Sequence, residues 1–234
     1  MPKLKSTLVY KSIQFRTLLL LVLVFISLVG LLSYSNKFIF ERFLGSVTPW
    51  VFAVVISILG IAAFALLLID KGFVVYKKKE GMAFLWVALP VLLFVSIAVL
   101  VDWQIVYPAD MNIPYPESLL FYPAMGFLVE VLFHLLPLAV LLFLFNAIFK
   151  TTANPALVWV VMVIVALLEP TYQVIMDPYP NWALITVWVN LFLFNMLQLW
   201  AFRQYDFVSM FALRLFYYLF WHIIWGSLRL DLLF

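Results

Sequence analysis

Glu130 and His134 are four apart in Val129-Glu130-Val131-Leu132-Phe133-His134, inside an apolar stretch long enough to cross a bilayer. That spacing places both side chains on one face of one helix. Glu169 and His222 sit in further apolar stretches, and His134 and His222 are the only histidines of the chain. A charged side chain at the centre of a membrane span costs roughly 3 kcal/mol unless it is paired or solvated, so such residues mark candidate sites. Two carboxylates and two imidazoles suit several tasks. A carboxylate can take a proton from water as a general base. A neighbouring imidazole can hold that water, orient the carboxylate or meet developing charge. The same four groups could also hold a divalent metal, Zn²⁺ or iron, through imidazole nitrogen and carboxylate oxygen. Taken singly, each could instead be a satisfied interhelical hydrogen bond.

The elements that must position these residues follow from composition. The chain has 234 residues, 68% of them hydrophobic and 11% charged, and a mean hydropathy of +1.16. A soluble domain is about half apolar and about a quarter charged. The expectation is an all-α, polytopic integral membrane protein forming a single membrane domain over residues 1–234, with no nucleic-acid partner. Long unbroken apolar runs exclude a β-barrel, which needs short segments of alternating polarity. The spans are predicted at Thr17–Ser35, Pro49–Ile69, Met82–Val101, Pro123–Phe149, Pro155–Met176, Trp182–Phe202 and Phe207–Leu230. Pro49, Pro123 and Pro155 each open a helix, where a missing N–H costs little. The first run is too long for the apolar region of a signal peptide and reads as a retained helix. Residues 1–122 carry three spans and a long loop; residues 123–234 carry four spans and the polar residues. Cysteine is absent, which excludes disulfides, thiolate catalysis and cysteine-ligated metal.

Lys and Arg set the orientation. Lys3, Lys5, Lys11, Arg16, Lys71, Lys77, Lys78, Lys79, Lys150 and Arg203 fall on one side. Lys37 and Arg42 fall on the other, with Glu41, Asp102, Asp110, Glu117 and Asp177. A cytoplasmic N-terminus is therefore expected. Trp103, Tyr107, Tyr115, Tyr122, Tyr179 and Trp182 form an aromatic belt on the opposite side, and the loop Asp102–Tyr122 could cap the bundle there.

On this topology Glu130 lies about 11 Å deep, His134 about 17 Å, Glu169 about 10 Å, His222 about 12–14 Å and Asn190 about 12 Å. Spans four to seven thus each bring a polar residue to a similar depth. Asn190, Arg214 and Tyr218 are supporting candidates, while Asn190, Asn195 and Gln198 could equally serve as interhelical glue. Arg214, Tyr218 and His222 recur every four residues. Arg214 could snorkel or reach Asp206 or another carboxylate; Arg229 is expected to snorkel. Gly226, four after His222, leaves an open spot on that face. Pro137 and Pro170 free the carbonyls of Phe133 and Ala166 beside the two carboxylates.

From about Pro123 onward the chain resembles the CPBP family (CAAX proteases and bacteriocin-processing enzymes, also called Abi), which are polytopic intramembrane proteases. Their pattern is EExxxR on one helix, FxxxH on the next and HxxxN/B two helices later. Here Glu130 keeps the second glutamate and His134 replaces arginine. Glu169 stands where the family has histidine. His222 is kept, and Gly226 replaces the asparagine. The resemblance implies a hydrolase, of peptidase type, in which Glu130 is the general base on water and His222 orients water or stabilises the oxyanion, with His134 and Glu169 as partners. It implies a membrane-embedded peptide or protein substrate, with membrane lipids around it; the location expected is a bacterial cytoplasmic (inner) membrane. The exchanges at His134 and Glu169 could instead convert the site to metal binding.

Two other classes remain open. One is a non-catalytic membrane subunit or scaffold whose Glu/His site survives as a polar network. The other is a proton-coupled carrier, weakened by the lack of internal repeats. An opsin-like site lacks its helix-seven lysine, two histidines are too few for a membrane desaturase, and the Ser–His setting of a rhomboid is missing.

Overall fold

A computed structural model describes residues 2–35, 39–40, 44–68, 72–77, 81–149, 154–176 and 178–234; for residues 2–10, 81–86, 149 and 176 it describes the backbone alone. Lys37, Glu41, Arg42, Lys71, Lys78, Lys79, Lys150 and Asp177, which enter the charge count, lie outside the described residues. The chain is all-helical, with no strand among the described residues, and has seven helices long and apolar enough to span a membrane.

These are α1 (Pro2–Ser35), α2 (Pro49–Leu67), α3 (Gly81–Ile105), α4, α5 (Pro155–Met176), α6 (Asn181–Gln204) and α7. Two of them are interrupted. In α4, α-helical Ser118–Val129 and Leu136–Phe149 flank a π-helical stretch, Glu130–Leu135. In α7, Phe207–Tyr218 and Gly226–Leu233 flank a π-helical stretch, Leu219–Trp225. Large apolar side chains such as Leu20, Ile58, Leu93, Phe143, Val160 and Ile185 face outward. That is the surface a lipid environment accepts and water does not.

The boundaries differ from expectation where local chemistry favours an earlier start. Pro123 does not open α4. The helix begins at Ser118, because the N–H groups of Ser118 and Leu119 reach the carbonyls of Pro114 (3.0 Å) and Pro116 (3.1 Å) and that of Phe121 reaches Glu117 (2.9 Å). Pro49 and Pro155 do open their helices, and the side chain of Asn154 accepts from Ala156 N–H at the start of α5 (3.0 Å). Asp206 caps α7, accepting from the N–H (2.8 Å) and hydroxyl (2.6 Å) of Ser209. Its other oxygen accepts from Lys77 N–H (2.8 Å). Asp206 is thereby spent as a cap, and Arg214 turns inward instead.

Helices α4 to α7 form the centre. α5 packs along α6, α6 along α7 and α4 against both α5 and α7; α3 lies on α6 and α7, and α1 and α2 lie on α4. Arg229 does not snorkel. It is fully buried and pairs with Asp102 at the end of α3, Nε to Oδ2 at 2.7 Å and Nη2 to Oδ1 at 2.9 Å. It also donates to the carbonyls of Pro108 (2.9 Å) and Tyr107. Trp225 Nε1 and Tyr107 N–H complete Asp102, at 2.6 and 2.9 Å. The turn that presents those carbonyls puts Val106 at φ 51°, a left-handed conformation that costs a β-branched residue about 1–3 kcal/mol. The cluster thus fastens the loop between α3 and α4 to the end of α7.

Removing one partner of a buried ion pair strands the other charge, at about 3–5 kcal/mol. Arg229→Met and Asp102→Asn should each lower the thermal unfolding midpoint markedly, and the double variant should lose less than the sum of the two. Additive losses would refute the coupling.

Candidate functional site

The π-helical stretch in α4 carries Glu130 at its first position and His134 near its end, and the N–H of Leu136 reaches back to the carbonyl of Val131. Pro137, with no N–H to continue the α-helical ladder, follows directly. Such stretches are often found at functional sites. The pairing expected from the spacing is present: His134 Nδ1 lies 2.8 Å from Glu130 Oε2, with both residues fully buried. Because a carboxylate can only accept, the proton of this bond sits on Nδ1.

Arg214, on α7, joins the carboxylates of two other helices. Its Nε donates to Glu130 Oε1 (2.9 Å), and its Nη1 and Nη2 donate to the two oxygens of Glu169 on α5, each at 2.8 Å. Gln198 on α6 donates to Glu130 Oε1 (2.6 Å) and to the carbonyl of Met210 (3.2 Å). One chain of contacts, His134–Glu130–Arg214–Glu169, therefore ties α4, α5 and α7 together with help from α6. Rings of Phe194 and Tyr218 lie 5.4 and 5.7 Å from the guanidinium carbon, and cations favour such aromatic faces. Gly126 lies against the stem: a Cβ there would sit in van der Waals contact, 3.4 Å from Arg214 Cγ and from the Tyr218 ring. Beside Pro170, the carbonyl of Ala166 that proline cannot serve is met by Asn195 Nδ2 at 3.4 Å.

His222 does not join this chain. It lies about 12 Å of helix rise beyond Arg214 on α7. Its Nδ1 meets Asn112 Oδ1 at 2.8 Å. The Tyr122 ring stacks on the imidazole (4.4 Å between centroids, 16° between planes), and the Tyr218 ring meets it edge-on at 4.9 Å. The expected quartet is thus divided, because His222 belongs to a second group two turns away from Arg214.

Both groups border a cavity of about 410 Å³ between α3, α5, α6 and α7. Glu169, Asn190, Arg214, Tyr218 and His222 face it, and Tyr107 and Met111 of the α3–α4 loop close one side. Asn190 donates through Nδ2 to the carbonyl of Phe94 (3.0 Å), which fixes its amide; Oδ1 then has no partner among the described residues. Glu130 and His134 do not line the cavity. Glu130 is held by three donors, so its placement suits a group that orients Arg214 better than a base on water.

Nor do the four residues assemble as metal ligands. Among the described residues no group of three or more His, Cys, Asp and Glu side chains is placed to hold a metal ion. The guanidinium of Arg214 lies between the two carboxylates, where its positive charge opposes a cation. The alternative of a Zn or iron site therefore has no ligand set among the described residues.

Asn112 is the site residue that the sequence reading passed over. Its one signal was the gap at Gly226: a Cβ there would lie 2.9 Å from Asn112 Nδ2 and 3.0 Å from its Cγ. Comparison of the chain with protein-family models, curated proteins and solved structures finds no match in any of the three.

Arg214 is held in a bidentate, planar geometry that lysine cannot reproduce. Arg214→Lys should destabilise the fold nearly as much as Arg214→Ala, both by more than Glu130→Gln. Thermal unfolding in one detergent or nanodisc preparation checks the order. Full recovery of stability by Lys would show that a point charge is enough.

Proposed function

We propose that the chain is an integral membrane hydrolase of intramembrane peptidase type, working in the cavity bordered by Glu169, Arg214, Tyr218 and His222. The observation that carries this reading is the convergence of those side chains, from α5 and α7, on one cavity among helices long enough to span a membrane. An acid–base group, a carboxylate and fixed donors at one cavity are what amide hydrolysis needs. His222 takes a proton from water through the ring nitrogen not used by Asn112. The water oxygen bonds to the scissile carbonyl carbon. Arg214 and the Tyr218 hydroxyl meet the oxyanion, and the C–N bond breaks as the proton passes to the leaving amine. Glu169 holds the guanidinium in place from the cavity side, and Glu130 holds it from behind.

The resemblance to CPBP proteases supports this reading in spatial terms. An arginine reaches Glu130 from α7 rather than from its own helix, and an asparagine reaches His222 from a loop rather than from Gly226. The substrate class is a membrane-embedded peptide.

One observation favours a second reading, a non-catalytic scaffold: Glu130 accepts from Arg214, Gln198 and His134, and both oxygens of Glu169 accept from Arg214, as in a purely structural network. The two readings part on one experiment. Purified protein in proteoliposomes is given a panel of single-span peptides, with cleavage read by mass spectrometry. The hydrolase cleaves at least one, and Glu169→Gln and His222→Ala each lower the rate by about 10²-fold or more. Cleavage that survives both substitutions, or no cleavage by the native protein across the panel, sinks the reading.

We also propose a cytoplasmic N-terminus and a bacterial cytoplasmic membrane as the setting. With no native cysteine, single cysteines report topology directly. A cysteine at Ser6 should be shielded from an impermeant thiol reagent added to intact cells. One at Asp110 should react. The opposite pattern reverses the orientation.

A further inference from the structure

A histidine that takes a proton from water must present a lone pair to that water, and neutral imidazole has two tautomers. The bond made by the other ring nitrogen decides which one is present. In His222 that nitrogen is Nδ1, and its partner is Asn112 Oδ1 at 2.8 Å.

An amide oxygen can only accept, so with Oδ1 on this side the proton of the bond sits on His222 Nδ1; Asn112 Nδ2 has no partner among the described residues. The hydroxyl oxygen of Tyr122 accepts from Ile113 N–H (2.9 Å) and lies 3.2 Å from Asn112 Oδ1, to which it can donate. Oδ1 therefore sits between two groups that can donate, Tyr122 O–H and His222 Nδ1–H. The Tyr122 ring, 4.4 Å away and nearly parallel, limits rotation of the imidazole. The amide itself is seated on the bare Cα of Gly226, where an added Cβ would come within 2.9–3.1 Å of three of its atoms. Asn112 belongs to the loop whose Met111 borders the cavity and whose base is fastened by Arg229.

We propose that Asn112 is the positioning residue for His222: it holds the ring in the Nδ1–H tautomer, which turns the Nε2 lone pair to the cavity, and Gly226 is the seat that admits it. The loop that closes the cavity thereby also sets the proton form of the histidine, so a displaced loop leaves the site without an oriented base. The catalytic consequence rests on the hydrolase reading; the tautomer does not.

Nitrogen NMR of the full chain, ¹⁵N-labelled at histidine in lipid nanodiscs, tests this without a substrate. The His222 signals are those lost in His222→Gln. The native protein and Asn112→Asp, which keeps an acceptor, should show the proton on Nδ1. Asn112→Ala and Gly226→Ala, altered on different elements, should both move it to Nε2 or to a mixture. Alanine favours helix more than glycine does, so a loss of helix propensity does not account for the second change, and an unchanged thermal unfolding midpoint in both alanine variants shows that the fold is kept. A native Nε2–H tautomer overturns the proposal, as does a spectrum unmoved in both alanine variants. The tautomer signature without peptide cleavage leaves Asn112 in its role and removes the hydrolase reading; cleavage without the signature does the reverse.

Discussion

The guanidinium of Arg214 holds two carboxylates from two other helices inside a largely apolar bundle, and α4, α5 and α7 meet on it. Neither Glu130 nor Glu169 could be buried alone, because an unpaired charge in an apolar interior has no compensating partner. Nor could Arg214, for the same reason. Each of the three is paired by the other two, so the observed register leaves none of these charges alone. Glu130 takes Nε and Glu169 takes the two terminal nitrogens, which distributes one planar group over two anions without sharing a donor. Gln198 adds a fourth helix to the arrangement. A buried ion pair of this kind does less for net stability than its short distances suggest, since desolvation offsets much of the attraction. Its contribution is to select one arrangement of helices and to fix where a cavity beside it can form.

A second cluster does the same for the loop. Asp102, Arg229 and Trp225 lock the end of α3 to the end of α7, and the strained turn at Val106 aims two carbonyls at the same guanidinium. The loop is thus held at its base by charge and at its middle by Asn112 on His222. Between the two clusters lies the cavity. Its polar lining is drawn from residues whose positions these contacts determine: Arg214 and Glu169 by the first, His222 by the loop that the second secures.

Much of this was legible in the chain. The spans follow from unbroken apolar runs. The Glu130–His134 bond follows from helical spacing, and the carbonyl of Ala166 beside Pro170 needed a donor that Asn195 supplies. What stayed hidden depends on rotation about helix axes, which an apolar sequence barely encodes. Lipid and core accept the same side chains, so hydrophobic periodicity does not say which way a span faces. Arg214 therefore had several possible carboxylates, and only the use of Asp206 as a helix cap removed one of them. Depth along the axis misled for His222, which lies about 12 Å of helix rise from the arginine that Glu130 and Glu169 share. Arg229 was misread because its partner, Asp102, lies on a distant helix end and counted merely as a loop acid. Pro123 looked like a helix start, whereas the turn before it supplies acceptors that begin the helix at Ser118.

The π-helical stretches give the last link. Both histidines lie within one, and each stretch is bounded by a residue that alters the ordinary ladder or its packing: Pro137 just beyond the first, Gly226 just beyond the second. An inserted residue of this kind turns the following helix relative to the preceding one. In α4 it lets Glu130 keep His134 as a partner while the same carboxylate faces Arg214. In α7 the stretch lies between Arg214 and Tyr218 on one side and Gly226, which seats the Asn112 amide, on the other. A regular helix would repeat Arg214, Tyr218, His222 and Gly226 as one stripe toward one neighbour. In α7 Arg214, Tyr218 and His222 all border the same cavity, while Arg214 also reaches the carboxylates of α4 and α5 and His222 also reaches the loop.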